Sequence, residues 1–302
     1  GKKDIYQVRI CFTWRRVMVE LNSFELDYIL NEDIPFIDLT SIVLSLEGDG
    51  NISFIFREDG IVCGTEEVEK IFKRFDIEVL YKKSSGEFGR KGEEILKGKG
   101  KATSIHKAWK VSLNLLEYMS GIATKTYEFV KKAREVNPNI TVSTTRKFMP
   151  FTKKLVMKAI LSGGAVPHRM SLSDTILIFK EHIIFTDFKE IVNNVEKIKK
   201  KSGGKSVGIE VETKEEAYNC IEKGFDFVQL DKWHPDNIRE IVNFRNSIGS
   251  KTLIAAAGGI NIENVQDFAK TGVDIIVTTS LYWSKPLDIK AKIERVQNWE
   301  TF

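Results

Sequence analysis

Short apolar runs alternate with amphipathic segments from residue 140 onward. The runs predict six strands: Ile140–Thr145, Thr175–Phe179, Val207–Val211, Phe227–Leu230, Thr252–Ala257 and Ile275–Thr279. Apolar residues spaced three to four apart predict helices over Lys214–Lys223, Pro235–Ser247 and Ile262–Lys270. Near-continuous apolar strands separated by helices are typical of a parallel sheet covered by helices. Because no early GxGxxG sequence is present, we favour an α/β barrel over a dinucleotide-binding sheet.

The first half of the chain mixes both periodicities and predicts an α+β unit. Helical spacing covers Ser23–Leu30, Val68–Phe75 and a long stretch from Ser104 to Val136. Alternation in Asn51–Phe56 and Ile61–Gly64, around Glu58-Asp59-Gly60, predicts a β-hairpin. The long helix is expected to connect this unit to the second one.

Composition excludes several classes of protein. The 302 residues are 42% hydrophobic and 29% charged, as in an ordinary globular protein, and no apolar run is long enough to span a membrane. The formal net charge of +4 is too small to predict nucleic-acid binding. Cys11, Cys63 and Cys220 have no metal-binding spacing, which indicates a reducing cytosol. We expect no signal peptide, and Met18 is a candidate natural start.

Charged residues and glycines collect where the predicted strands end, the edge at which barrel enzymes carry their chemistry. In chain order they are Arg146 and Lys147, His168 and Arg169, Glu210, Asp231, Gly258 and Gly259, and Thr278, Thr279 and Ser280. Clustered cations suit phosphate and carboxylate groups. Two carboxylates facing one site suit Mg²⁺, which is held by one or two carboxylates and by phosphate oxygens. Glycine N–H groups before a helix suit a phosphate.

Each of these features also has a structural interpretation. The cations could form a solvated surface, and Glu210 and Asp231 could be ion-pair partners of Arg146 or Arg169. Gly258-Gly259 could be a tight turn only. We interpret His182 and His234 as structural, and Trp109 and Trp233 as core residues in preference to pocket walls.

The residues at the strand ends resemble the quinolinate phosphoribosyltransferases, also called nicotinate-nucleotide pyrophosphorylases. The resemblance covers about Val19 to Ile293. Its motifs are Thr145-Arg146-Lys147, His168-Arg169, Glu210-Val211-Glu212, Leu230-Asp231, Gly258-Gly259-Ile260 and Thr271-Gly272-Val273-Asp274. The chain is most similar to the ModD branch, encoded among molybdate-transport genes. That similarity rests on Ala108-Trp109-Lys110, Pro167-His168-Arg169, Leu177-Ile178-Phe179, Gln229-Leu230-Asp231-Lys232 and Val277-Thr278-Thr279.

The resemblance implies a fold of two domains. An N-terminal α/β sandwich would occupy residues 20–112, after an extension over 1–19, and would be joined by a C-terminal helix over 286–302. An open, TIM-like α/β barrel of the type II phosphoribosyltransferase kind would occupy residues 113–285. It also implies a homodimer, with the possibility of a larger homo-oligomer, in which Lys110 reaches the partner's pocket.

The resemblance further implies a reaction and the residues that perform it. Phosphoribosyl would pass from phosphoribosyl pyrophosphate (PRPP) to a ring nitrogen of an aromatic or heterocyclic base, with release of pyrophosphate. Arg146, Lys147, His168 and Arg169 would bind the carboxylates and phosphates of anionic substrates, while Glu210 and Asp231 would hold Mg²⁺. Gly258, Gly259, Thr279 and Ser280 would cradle the 5-phosphate.

Three positions depart from the family pattern. Quinolinate enzymes have Arg in place of Lys110, Lys in place of Phe179 and Gly in place of Thr279. A point charge thus replaces a bidentate guanidinium, and an aromatic ring replaces a cation. Lys180 is adjacent to Phe179, but strand alternation prevents it from substituting. The pocket is therefore expected to accept a base less anionic than quinolinate.

Other functions remain open from the sequence. The chain could be an authentic quinolinate phosphoribosyltransferase of NAD synthesis. Lys147 could form a Schiff base in a lyase, although Arg146 beside it would then have no role. A non-enzymatic anion-binding protein linked to molybdate transport would need the cations but not Glu210 and Asp231.

Overall fold

The computed structural model describes residues 19–296, and its chain divides into two units. The predicted extension over 1–19, with Cys11 and Met18, lies outside the described residues except for Val19. Within the described part, the first unit holds residues 19–127, 149–164 and 282–296, and the second holds 128–148 and 165–281. None of the helices in residues 19–296 combines the length and apolar character needed to cross a bilayer.

The first unit contains an antiparallel sheet with helices. Its strands are β1 (Asp49–Phe56), β2 (Gly60–Ile61), β3 (Glu78–Lys82), β4 (Phe88–Gly89), β5 (Glu94–Lys101) and β13 (Ile289–Arg295). Its helices are α1 (Ser23–Asp33), α2 (Leu39–Val43), α3 (Thr65–Arg74), the first part of α4 (Ala102–Arg134), and α5 (Lys153–Ser162). The four-stranded sheet has the order β13-β1-β5-β3, and β2 pairs separately with β4.

The predicted hairpin around Glu58-Asp59-Gly60 is wrong. Strand β1 pairs with β5 and β13, and the short β2 pairs with β4. Alternation along β1 is real, because Ile52, Phe54 and Phe56 are fully buried. Alternation identifies a half-buried strand but does not identify its partner, which here lies far along the chain.

The predicted helix over 286–302 is also wrong where the structure describes it. Residues Ile289–Arg295 form strand β13, which pairs antiparallel with β1, from Gly50 opposite Arg295 to Phe56 opposite Ile289. The segment has Ile289, Ala291 and Ile293 at alternate positions with charged residues between them, a period of two typical of a strand. It joins the first unit, as an edge strand of the sheet.

A buried cation with two acidic partners stabilises the first unit. Lys158 on α5 is 3% exposed, and its Nζ lies 2.6 Å from Glu67 Oε2 and 2.9 Å from Glu66 Oε2. Burial alone would raise the pKa of Glu66, but the Lys158 charge and hydrogen bonds from Ser85 lower it to about 2. Burial acts to lower the pKa of Lys158, and the two carboxylates outweigh it and raise that pKa.

The second unit is a sheet of seven strands with helices between them. Its strands are β6 (Thr141–Thr144), β7 (Val166–Pro167), β8 (Ile176–Ile178), β9 (Val207–Val211), β10 (Phe227–Asp231), β11 (Leu253–Ala257) and β12 (Ile275–Thr278). Besides the end of α4, it holds α6 (Lys180–Ile183), α7 (Phe188–Asn193), α8 (Val195–Lys201), α9 (Lys214–Glu222), α10 (Pro235–Ser247), α11 (Val265–Ala269), and most of the 3₁₀ turn Ser280–Tyr282.

All pairings in this sheet are parallel, in the order β7-β6-β12-β11-β10-β9-β8. Strands β7 and β8 follow one another in sequence but lie at opposite edges, so the sheet forms an open, half-barrel arrangement. The predicted open α/β barrel is therefore confirmed. Because every strand runs the same way, their carboxyl ends meet at one edge of the sheet.

Candidate active site

A cavity of about 700 Å³ lies in the second unit at the carboxyl ends of its strands. Its lining includes the following residues proposed from sequence: Arg146, Lys147, His168, Arg169, Phe179, Glu210, Asp231, Gly258, Gly259, Thr279 and Ser280. These residues come from the carboxyl-terminal parts of all seven strands of the sheet, and the parallel topology brings them together. Lys110 is not among the lining residues; it is exposed on α4, with its Nζ 4.7 Å from the centre of the Trp109 ring.

One wall of the cavity is cationic. Arg146 and Lys147 follow β6, and His168 and Arg169 follow β7. Arg169 is only 9% exposed, and no hydrogen bond or ion pair joins its guanidinium to any other residue between 19 and 296. The guanidinium lies over the ring of Phe179, with its Cζ atom 5.6 Å from the ring centre. Buried charges in proteins are normally paired, so an unpaired guanidinium facing a cavity indicates a site for an anion.

Burial changes the acid–base behaviour of this wall. Burial, followed by repulsion from Arg146, lowers the pKa of Arg169. Burial, followed by repulsion from Arg169, lowers the pKa of His168 to about 4. His168 is therefore neutral near pH 7, and its ring contacts Phe227 edge-on with centres 5.3 Å apart. A neutral imidazole offers one hydrogen-bond donor and one acceptor and adds no charge to the wall.

The opposite wall is acidic. Glu210 on β9 and Gln229 on β10 are paired in register, and Gln229 Nε2 donates a 2.6 Å hydrogen bond to Glu210 Oε2. Asp231 lies two residues beyond Gln229, so both side chains are on one face of the strand. Burial raises the pKa of Glu210, the bond from Gln229 opposes this effect, and the negative charge of Asp231 adds to it.

Neither acidic residue forms an ion pair within the described chain, so the expected alternative of a bridge to Arg146 or Arg169 is absent there. Repulsion between Glu210 and Asp231 is consistent with a cation between them. In residues 19–296 no group of three or more His, Cys, Asp or Glu side chains is arranged around one metal position. Two carboxylates do fit a cation that takes its remaining ligands from substrate and water, as Mg²⁺ does.

The glycine pair Gly258-Gly259 follows β11 at the cavity. Both residues are left-handed, with φ of 85° at Gly258 and 71° at Gly259. A Cβ added to Gly258 would lie 2.6 Å from Asp231 Oδ1 and 2.7 Å from the backbone N of Lys232, so no side chain fits. Gly259 faces open space, with no atom within 4 Å of an added Cβ. The backbone can therefore approach a ligand closely here.

Hydroxyl groups complete the wall beside the glycines. Thr278 Oγ1 donates to the carbonyl of Ile260 at 2.7 Å and accepts from the N–H of Ser280 at 3.0 Å. The Oγ1 atoms of Thr279 and Thr145 lie 3.0 Å apart. These bonds fix the strand end and present the Thr279 and Ser280 hydroxyls at the cavity.

Phe179 gives the cavity an aromatic surface. The Phe179 ring contacts the guanidinium of Arg169 and is stacked on the imidazole of His182, with ring centres 5.9 Å apart and an 18° interplanar angle. His182 Nδ1 accepts from the Phe179 N–H at 3.0 Å, and His234 Nδ1 accepts from the Asp236 N–H at 3.3 Å. Both histidines have cap contacts, which agrees with their structural interpretation. Trp109 and Trp233 are half-buried instead of core residues.

Several lining residues were not identified as site residues from the sequence, among them Gln229, Thr144 and Lys232. Gln229 has a buried Oε1 atom without a partner, and Thr144 has a buried Oγ1 atom without one. The spacing of Gln229 two residues before Asp231 could have revealed it, because alternate strand residues share a face. Lys232 lines the cavity in a left-handed conformation, which no sequence pattern predicts for lysine.

Family models identify both parts of the chain. The C-terminal domain of quinolinate phosphoribosyl transferase matches residues 122–292, and its N-terminal domain matches residues 38–120. The chain therefore belongs to the quinolinate phosphoribosyltransferase family, and it is a pentosyltransferase of that family.

This chain is similar to proteins named ModD and to proteins named nicotinate-nucleotide pyrophosphorylase. The ModD protein of Pasteurella multocida is 32% identical over 92% of this chain and 99% of its own length. A Methanocaldococcus jannaschii protein named as a nicotinate-nucleotide pyrophosphorylase (carboxylating) is 33% identical over 89% of this chain and 95% of its own. The solved nicotinate-nucleotide pyrophosphorylase of Francisella tularensis is 26% identical, with a TM-score of 0.82 over 91% of this chain and 98% of that chain.

Proposed function

We propose that this enzyme transfers phosphoribosyl from PRPP to a ring nitrogen of an aromatic acid less anionic than quinolinate, as a ModD-like member of the family. The observation that carries the proposal is Arg169, a buried guanidinium that has no acidic partner among residues 19–296. It lies at a cavity that also contains two carboxylates, Glu210 and Asp231, which form no ion pair with those residues. This distribution of charge matches a substrate whose anionic groups face the cations and whose reacting carbon, where positive charge develops, faces the carboxylates.

The cationic wall would bind anionic groups of both substrates. Arg146 and Arg169 offer planar donor pairs to carboxylate or phosphate oxygens, and Lys147 adds a compact charge. Neutral His168 can orient an oxygen by one hydrogen bond. Gly258, Gly259, Thr279 and Ser280 would cradle the 5-phosphate through N–H and hydroxyl donors.

Glu210 and Asp231 would hold Mg²⁺ together with PRPP. When bound, the ion supplies charge neutralisation for the pyrophosphate that departs. The bond from Gln229 orients the Glu210 carboxylate toward this role.

The reaction is a displacement at the anomeric carbon of the ribose. The ring nitrogen contributes its lone pair to a new C–N bond, and the C–O bond to pyrophosphate breaks with its electron pair on the leaving oxygen. Positive charge develops on the ribose in the transition state. The carboxylates of Glu210 and Asp231 would stabilise it by their negative charge. No protein nucleophile is needed.

Phe179 supports the choice of acceptor. Quinolinate has two carboxylates, and the quinolinate family has a lysine where this chain has an aromatic ring. The ring offers a stacking surface for an aromatic acid with fewer charges. Quinolinate itself, as in the relatives named nicotinate-nucleotide pyrophosphorylase, is the second candidate acceptor.

Two other functions receive less support. Lys147 is exposed, whereas a Schiff-base lysine needs a desolvated environment to become a neutral amine. An anion carrier linked to molybdate transport has no use for the carboxylates of Glu210 and Asp231.

A homodimer belongs to the same proposal. The segment 24–44 carries a series of exposed apolar side chains, among them Phe24 at 79%, Phe36 at 90% and Val43 at 71% exposure. Exposed apolar surface of this extent is typical of an interface, and a second copy of the chain is the proposed occupant.

In that dimer Lys110 would serve the partner's pocket. Mixed Lys110→Ala and Arg146→Ala subunits should then recover activity in hybrids; exchange without recovery would place Lys110 elsewhere.

The proposed compartment is the reducing cytosol. Cys63 and Cys220 are buried free thiols, and burial raises the pKa of each to about 12. Such thiols are unreactive and need no oxidising partner.

Calorimetry with PRPP tests the central assignment. Binding should require Mg²⁺ and should weaken strongly in Asp231→Asn, because one metal ligand loses its charge. Asp267→Asn is the matched control, since Asp267 is exposed on α11 and does not line the cavity. Equal affinity with and without Mg²⁺, or unchanged affinity in Asp231→Asn, would remove the metal from the proposal.

A further inference from the structure

Lys232 has an unusual backbone at the edge of the cavity. It follows Asp231 at the end of β10 and has a φ of 61°. Among residues 19–296 the other non-glycine residues with positive φ are Ser45, Asp76 and Phe151, and none of these lines the cavity. For an L-residue this conformation costs free energy, least for Asn and Asp and nothing for Gly. Strained residues of this kind cluster at functional sites.

The local chain path explains the turn but not the lysine. Strand β10 ends at Asp231, and α10 begins four residues later at Pro235, so the chain must reverse quickly. The N–H of Lys232 donates to the carbonyl of Ala257 at 2.8 Å, which holds the turn against β11. Asn or Gly would make the same turn and the same backbone bond with less strain. The side chain of Lys232 must therefore have its own use.

That side chain lies across the glycine turn. Its Cγ atom is 2.5 Å from the position that a Cβ on Gly258 would occupy, so its stem packs directly over the Gly258 backbone. The residue is exposed, and within the described chain no carboxylate or carbonyl accepts a bond from its ammonium group. A free ammonium is thus carried on a fixed stem between Asp231 and Gly258.

We propose that Lys232 is an additional phosphate-binding residue, whose ammonium contacts a phosphate group of PRPP at the cavity edge. The proposal rests on the proposed function, because it assumes PRPP as the substrate. Lysine binds phosphate as a point charge. Lys232 lies between Asp231, which would hold the metal ion of the pyrophosphate, and the glycine turn, which would bind the 5-phosphate. Either phosphate group of PRPP is therefore a candidate partner for its ammonium group, and the experiment must distinguish the two.

The test compares Lys232→Asn with Lys232→Arg in the full-length protein. Calorimetry with Mg²⁺ would use PRPP, inorganic pyrophosphate and ribose 5-phosphate as separate probes. Lys232→Asn should weaken PRPP binding about 10- to 100-fold, the effect of one charged hydrogen bond. Its Tm should stay the same or rise by a few degrees, because Asn tolerates the left-handed backbone. Lys232→Arg should keep most of the affinity, and the probe that weakens in Lys232→Asn identifies the phosphate.

Asp76→Asn is the control for the backbone effect. Asp76 is also left-handed, with a φ of 53°, but it follows α3 in the first unit. It should leave PRPP affinity unchanged. Normal PRPP binding by Lys232→Asn would overturn the Lys232 assignment and leave the proposed function intact. A lower Tm together with weaker binding would make Lys232 structural. A native protein that fails to bind PRPP under any of these conditions would overturn both.

Discussion

Lys158 and Arg169 are both at least nine-tenths buried, yet their surroundings are opposite. Lys158, in the first unit, has two carboxylates within 2.9 Å. Arg169, in the second unit, has no acidic partner in the described chain and contacts an aromatic ring. A buried cation with its counter-ions is part of the folded structure. A buried cation without them is costly in free energy until an anionic ligand binds to it.

The largest expected effect is on stability, in Lys158→Met. Removing the ammonium leaves Glu66 and Glu67 buried without a cation, which should lower the free energy of unfolding by about 3–5 kcal/mol. PRPP affinity of the folded protein should not change. Urea unfolding with calorimetry on the folded variant measures both quantities.

The sign of the pH dependence sharpens this prediction. In the native protein the pKa of Glu66 is lowered to about 2, so its contribution to stability is present above about pH 4.5 and is lost as the pH falls toward 2. In Lys158→Met burial dominates, and the pKa of Glu66 should rise above its ordinary value. The variant should therefore gain stability between pH 7 and pH 5, where the native protein does not. If the free energy of unfolding depends on pH in the same way in both proteins, Lys158 is not the residue that lowers the pKa of Glu66.

Arg169→Met makes the same substitution at the other buried cation and should give the opposite result. Loss of one charged contact should weaken binding of at least one polyanionic probe, PRPP or quinolinate, about 10- to 100-fold. The free energy of unfolding should be unchanged or higher, because the buried guanidinium has no partner to lose. A destabilisation as large as that of Lys158→Met, with both affinities intact, would make Arg169 a structural residue.

The sequence was sufficient for the parts of the fold that depend on local periodicity. Helix Pro235–Ser247 and strand Val207–Val211 have the predicted bounds. Pro235 begins the helix and Gly249 follows its end, while glycines precede the strand and apolar residues alternate along it. The order of the strand-end residues predicted a shared cavity because parallel topology brings such residues to one edge.

Contacts between distant parts of the chain could not be predicted in the same way. Strand β13 and its pairing with β1 join segments more than 200 residues apart, and Lys158 and Glu67 are 91 residues apart. Periodicity carries no information about such partners. Lys232 was missed for another reason: its importance depends on a φ angle, which its residue type does not suggest.

The smallest expected effect is on the turnover of quinolinate as the acceptor. It tests whether the cationic wall has too few positive groups to bind both carboxylates of quinolinate. Phe179→Lys adds a cation next to Arg169, and Lys110→Arg restores a bidentate donor on the proposed partner subunit. The native protein should turn over quinolinate feebly. Each change should raise quinolinate turnover by about tenfold, at the low end of the 10- to 100-fold of a fully formed charged contact. For Phe179→Lys the reason is repulsion from Arg169, which opposes the new lysine. The double variant should exceed either single one, since both groups would bind one dianion. Formation of nicotinate mononucleotide by the four proteins is the measurement. Robust turnover by the native protein would instead show that Arg169 and its neighbours already suffice for quinolinate, and NAD synthesis would become the leading function.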